Sequence, residues 1–187
     1  MNKNVLRLAL AAMCFTSVAS AQSYSCKYLA KISAEEETLV NCASWVDGEP
    51  RFSPRLSRLA LSANGLYQLY ISSAEWPGSG RYYLLNDRSE ALSLLPFDNG
   101  GDVFAEGLVR SRQQGKVGFY NAQLRAVIIP QFDFAWPFKE GKALVCNGCN
   151  TRRDGEHTSM IGGQWFYIDK SGARISPIGS KPGDLLP

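Results

Sequence analysis

A single histidine stands in the 187 residues, and basic and acidic residues nearly balance at 20 against 17. One histidine leaves few options for general acid–base chemistry. No Gly-x-Ser-x-Gly elbow occurs, and no glycine-rich loop follows a strand to open a helix. Hydrolase-elbow and phosphate-loop chemistry are therefore both missing. No long basic run is present to track a phosphate backbone, which argues against nucleic acid as a partner and against an anionic membrane surface. Beyond the first 21 residues no apolar run is long enough to cross a bilayer. Five cysteines are too few for a scaffold held by disulfides alone. A hydrophobic fraction of 45% against 20% charged excludes a disordered chain. The sequence spells out no reaction and implies no cofactor.

Aromatic residues and glycine are abundant, with 9 Phe, 8 Tyr, 4 Trp and 17 Gly. Together they favour β structure with many tight turns. Residues 1–21 have the layout of a signal peptide. Lys3 and Arg7 precede an apolar stretch from Leu8 to Val18, and Ala19-Ser20-Ala21 suits cleavage before Gln22. This predicts an exported chain, periplasmic or secreted, close to neutral once the leader is gone. Cys14 leaves with the leader. Cys26, Cys42, Cys146 and Cys149 remain, an even set that suits two bridges in an oxidising compartment. Four cysteines allow three pairings. Sequence separation favours Cys146–Cys149 and Cys26–Cys42, the latter stapling residues 22–51 as an N-terminal cap.

The most informative feature is internal repetition. Arg81-Tyr82-Tyr83-Leu84-Leu85-Asn86 leads through Asp87-Arg88-Ser89 to Glu90-Ala91-Leu92. Lys116-Val117-Gly118-Phe119-Tyr120-Asn121 leads through Ala122-Gln123-Leu124 to Arg125-Ala126-Val127. Gln164-Trp165-Phe166-Tyr167-Ile168-Asp169 leads through Lys170-Ser171-Gly172 to Ala173-Arg174-Ile175. Each is a hairpin signature: an aromatic run, an Asn or Asp, three turn residues and a second apolar run. Asn86, Asn121 and Asp169 can accept a backbone N–H two residues on and so start a turn. Alternation puts Val117 with Phe119 and Trp165 with Tyr167 on one face, against Gly118 with Tyr120 and Phe166 with Ile168 on the other.

A second element lies between the hairpins. Phe104-Ala105-Glu106-Gly107 matches Phe138-Lys139-Glu140-Gly141, and the pairs Phe97-Asp98 and Phe132-Asp133 stand before them. Phe104 and Phe138 are expected as equivalent core plugs. Glu106 and Glu140 recur with the repeat and are expected to hydrogen-bond at the bend, while Gly107 and Gly141 give it backbone freedom. A degenerate copy runs from Phe52 through Asn64-Gly65-Leu66 into Leu69-Tyr70-Ile71.

This pattern resembles the WG β-repeat family in bacterial exported form. The second hairpin keeps Gly118 behind Val117, and the third keeps Trp165 followed by Phe166. The resemblance implies an all-β fold of stacked antiparallel hairpins with a period of about 35 residues, in one elongated or curved domain spanning 52–178. Such units cannot bury an apolar face singly and must cover one another. Residues 179–187 read as a flexible tail.

The repeat spacing stretches once, between the second and third hairpins, which marks 146–163 as a loop insertion and the candidate site. Three readings apply to its Cys146-Asn147-Gly148-Cys149 and His157. One is a disulfide that pins the loop. Another is a metal site in which Asp154 or Glu156 joins Cys146, Cys149 and His157. The last is a redox-active dithiol. Trp45, Trp76 and Trp136 sit in turn-like contexts where an exposed indole can stack on a sugar ring or an apolar partner; as core residues they need no such role. A catalytic Glu106–Glu140 pair is disfavoured, because a residue present in each copy usually serves the fold. The sequence-level expectation is a non-catalytic binding module whose partner is another protein or an envelope glycan. The alternatives are an envelope enzyme, thiol oxidoreductase or metal-dependent hydrolase, working through Cys146, Cys149 and His157, and a periplasmic inhibitor of a lytic enzyme.

Overall fold

The computed structural model describes residues 24–72, 80–155, 157–176 and 179. The expected signal peptide, Trp76 and, apart from Gly179, the expected 179–187 tail lie outside the described residues. The architecture is all-β with one short helix, and it is built from three antiparallel meanders.

The first meander is β5 (Leu66–Ser72), β6 (Arg81–Asn86) and β7 (Ala91–Leu94). The second is β10 (Val109–Gln113), β11 (Lys116–Tyr120) and β12 (Ala126–Phe132). The third is β14 (Lys142–Asp154) and β15 (His157–Asp169), with Arg174, Ile175 and Gly179 set back along β15. They are held by the Ile168–Arg174 bridge and by Ile175 N–H and Gly179 N–H donating to Tyr167 O and Trp165 O.

Two local devices recur three times and explain why these residues form these strands. Each meander is entered through a two-residue bend: Asn64-Gly65, Glu106-Gly107 or Glu140-Gly141. Both residues of each bend have positive φ, and the flanking residues exchange two backbone hydrogen bonds. This is the turn whose twist matches paired strands. Each meander then makes its last reversal on a carboxamide or carboxylate. Asn86 Oδ1 accepts from Arg88 and Glu90 N–H, Asn121 Oδ1 from Gln123 and Arg125, and Asp169 Oδ1 from Ser171 and Ala173. The fourth turn position is left-handed in all three, at Ser89, Leu124 and Gly172. The expected degenerate copy near Asn64-Gly65 is thus not a separate unit: it supplies the bend and first strand of the meander that the Arg81 hairpin completes.

The meanders stack in chain order, and strand alternation decides which core each residue joins. Tyr83 and Leu85 point to a first core with Tyr24, Cys26, Phe52 and Leu56. Leu84, with Tyr82 partly buried beside it, points the other way and meets Tyr120 and Val109 of the second meander. Val117 and Phe119 share a third core with Phe166 and Ile168 of the next layer. Trp165 and Tyr167 face the last cluster, closed by Phe134, Trp136 and Met160. Phe119 and Tyr167 therefore hold equivalent forward-facing positions.

The N-terminal elements cover the other end. β1 (Ser25–Leu29) and β2 (Glu36–Val40) extend the first meander into a sheet of order β2-β1-β5-β6-β7. The hairpin of β3 (Ala43–Val46) and β4 (Glu49–Phe52) and the helix α1 (Leu56–Leu59) lie beyond it. Cys26 and Cys42 form a disulfide with both residues fully buried. The expected boundary at 51/52 falls inside β4. Phe52 and α1 pack in the first core, so the repeats begin at the Asn64-Gly65 bend.

Two sequence equivalences end at the backbone. Phe138 is buried at 3% exposure against Phe119, with ring centroids 4.8 Å apart, whereas Phe104 is 37% exposed. Phe104 is not a core plug. The Glu106-Gly107 bend that follows it nevertheless has the same backbone path as Glu140-Gly141. A buried ion pair occupies the space between layers instead: Arg110 donates to Asp102 through Nε at 3.0 Å and Nη2 at 2.6 Å, and through Nη1 to Ala135 O. Likewise Asp98 is an exposed left-handed turn residue between β8 (Pro96–Phe97) and β9 (Gly100–Gly101). Asp133 instead links two layers, so the two aromatic–Asp pairs are not equivalent.

Candidate functional site

The stretched spacing is not a loop. It is an extension of the β14–β15 hairpin, paired residue by residue as far as Asp154 and His157. Residues 150–153 and 158–159 are exposed along both strands, as is Ile161, so neither face is covered over most of this length. The third meander thus carries a two-stranded arm of about a dozen residues. An isolated ribbon of that kind is marginal in water, which makes its base decisive.

The base is built by paired glycines. The register runs from Asn147–Gln164 directly to Cys149–Gly162, skipping Gly148 and Gly163, both at positive φ. In a regular strand residues i and i+3 point to opposite faces. The skipped residue reverses that parity, so Cys149 joins Cys146 on one face and the two form a disulfide. Gly163 leaves no room for a side chain: a Cβ there would stand 2.7 Å from Cys146 Sγ and 2.5 Å from the Cys149 nitrogen. Trp165 pins the same bulge by donating from Nε1 to Gly162 O at 2.9 Å. Asp133 accepts from Gly148 N–H at 2.6 Å and pairs with Lys116 of the second meander. These two contacts, the Lys116 bond first, hold the Asp133 carboxyl below the usual carboxylate range. Asp133 N–H in turn donates to Cys146 O. β13 (Phe134–Ala135) then pairs with β14 and carries the chain past the arm's root.

The predicted cysteine–histidine cluster does not converge. Cys149 pairs with Gly162, and His157 lies five residue steps further out, about 17 Å at the strand rise. No ligand set can close over that span. Glu156 and the side chains of Asp154 and His157 lie outside the described residues. Trp136 is half-buried against Phe134 at 5.3 Å, on the layer's outer cluster. Trp45 is half-buried against Tyr24, with Arg81 above its ring, and edges a groove of about 840 Å³ with Glu49, Tyr82, Arg112 and Gln114. Arg112 spends its guanidinium on Gly115 O and Asp133 O.

The repeated residues serve the fold. Both oxygens of Glu106 accept from Gly141 N–H, at 3.2 and 3.1 Å, so one bend clips the next bend a full repeat away. Lys170 completes the clip at 3.0 Å. The Lys170 bond and the Gly141 amide, in that order, lower the Glu106 carboxyl below its usual range. Glu140 holds the same left-handed bend position but is exposed, with no layer beyond it among the described residues to receive its carboxylate. Phe97 is 38% exposed beneath Arg110, and Phe132 is buried in the third core. Gly118 is needed for space: β12 bulges over it, and a Cβ would meet Ile128 O at 2.6 Å. Sequence reading missed Asp102, Arg110, Lys170 and Gly163. The single hint was the Gly162-Gly163 pair inside an otherwise β-prone run.

Stacked three-stranded layers joined by repeated bends define a β-repeat protein. Residues 118–148 match the family model described as WG containing repeat. That stretch is similar to the WG containing repeat, and it runs from β11 of one layer through the bend into β14 of the next. The sequence unit is therefore out of phase with the structural layer and contains the joint between two layers. No curated protein and no solved structure matches the chain.

Proposed function

We propose that the chain is an exported, non-catalytic binding module whose contact is the arm, with another protein or an envelope glycan as partner. The observation that carries this reading is the reinforced root of a ribbon that the other described residues leave uncovered. A disulfide, two positive-φ glycines, the Asp133 carboxylate and the Trp165 indole all converge on the point where the arm leaves the layer. Fixing a ribbon before contact lowers the entropy lost on binding. A narrow arm exposed on both faces also suits insertion into an enzyme cleft, which supports the inhibitor form of the same reading.

The test replaces residues 150–161 with a short Gly-Ser turn and keeps Cys146, Gly148, Cys149 and Gly163. Affinity capture from envelope extract and titration with defined envelope glycans are compared between the full chain and the shortened one. A partner retained by the full chain and lost by the shortened one, with unchanged thermal unfolding, supports the reading. Equal capture by both removes the arm from the function.

A further inference from the structure

The arm differs from its own root in what flanks it. At the root, β13 pairs along the outer edge of β14, and Ile175 and Gly179 bond to the outer edge of β15 at Tyr167 and Trp165. Further out, among the described residues, no strand pairs with either edge. Open edges are templates for further strands, and proteins usually blunt those they do not use. Two other edges among the described residues are blunted. β12 carries Pro130 within a bulge that breaks its register, and β2 begins with Glu36 and Glu37. The β15 edge is open over Thr158-Ser159-Met160-Ile161, which contain no proline and no charge, and its bulge begins only at Gly162, the inner end of the run.

Charge separates the two edges. β14 carries Arg152 and Arg153, both exposed, so pairing this edge with itself would bring like charges together. The β15 edge has no such penalty. An antiparallel pairing centred on Met160 sets Thr158 against Gly162 and Ser159 against Ile161, all uncharged. It also places Ile161, 40% exposed, against a second sheet edge. We infer that the occupant of the β15 edge is a second copy of this chain, related by a two-fold axis, so that two arms form a four-stranded sheet. Closed two-fold pairing satisfies both edges at once. The contact is short and lies well below the roughly 1,200 Å² of a stable interface, so the dimer is weak and concentration-dependent. This inference rests on the arm as the contact surface of the module and names one partner for it.

The experiment is sedimentation equilibrium of the full exported chain from micromolar to millimolar concentration, with amide hydrogen exchange at both ends of the range. Reversible dimerisation is expected, with exchange at residues 158–162 slowing as concentration rises. The double variant Ser159→Lys, Ile161→Lys sets like charges opposite one another across the two-fold and should weaken association at least tenfold at low salt. Thr151→Lys on the opposite strand should leave it unchanged. A monomer throughout, or a dimer indifferent to the double variant, overturns the inference. Protection of 158–162 that does not change with concentration also overturns it, and assigns the edge to the chain's own covering. A monomer that still captures a partner through its arm overturns the second copy alone and leaves the binding reading standing.

Discussion

Replacing Gly118 by Ala tests the physical meaning of the repeat glycine. Gly118 does not adopt a positive φ, so its backbone is open to any residue. The obstacle is steric: the new Cβ would stand 2.6 Å from Ile128 O and 2.7 Å from the Pro130 nitrogen. Both are backbone atoms, and Pro130 is stiff, so the bulge of β12 must lift. Forcing such a shift costs about 1–3 kcal/mol, and a backbone obstacle puts the expectation at the upper end. Loss of unfolded-state freedom returns about 0.4–1 kcal/mol. The net expectation is a destabilisation of about 1–2.5 kcal/mol, read from urea midpoints at unchanged slope. Gly100→Ala is the internal control. It too lacks a positive φ, and nothing lies within 4 Å of its Cβ, so it should be neutral or gain up to about 1 kcal/mol. Gly107→Ala separates the other cause: open space but φ of 86°, which should cost about 1–2 kcal/mol. If Gly118→Ala and Gly100→Ala have the same midpoint, close approach of the bulge is not why glycine stands at 118.

Phe138→Ala should destabilise by about 3–5 kcal/mol and Phe104→Ala by well under half of that, measured by the same urea curves; equal losses would contradict the assigned burials. Removing one partner of the Asp102–Arg110 pair, as in Arg110→Met, should cost about 3–5 kcal/mol in thermal unfolding, whereas Asp102→Leu combined with Arg110→Met should cost less than either single change. Glu106 has its carboxyl lowered on folding, so its contribution is present above the normal carboxylate range and disappears as pH falls through the depressed value. The Tm gap between the parent and Glu106→Gln should therefore be widest near neutrality and close in acid, while Glu140→Gln should show no such gap. Cys149→Ala should raise hydrogen exchange across 150–161 and barely move global unfolding, because the bridge closes a ring of only four residues; loss of the whole fold would refute the local role.

Elements defined by neighbours in sequence were legible from residues alone. The Asn86, Asn121 and Asp169 turns, the Glu-Gly bends and the strand faces around Phe119 and Tyr167 all depend on contacts that a few residues or a strand period dictate. Phe104 failed because its burial depends on what the next layer places above it, and Asp98 failed because a short β8–β9 hairpin diverts it to solvent. The 146–163 stretch read as a loop because glycines and polar residues mark turns when taken singly. Only cross-strand pairing reveals that Gly148 and Gly163 are skipped together.

Alone, then, the chain of residues determined the all-β class, the repeat period and the places where strands reverse, since turn chemistry and alternation act over a handful of positions. Tertiary structure decided which copies of a repeated residue are buried, which glycine answers to strain and which to space, and that Glu106 reaches a bend one repeat away. It also decided that two cysteines three apart share a face, while His157 stands far from both. Those outcomes are set by the distance between layers and by strand register, quantities that no local pattern encodes.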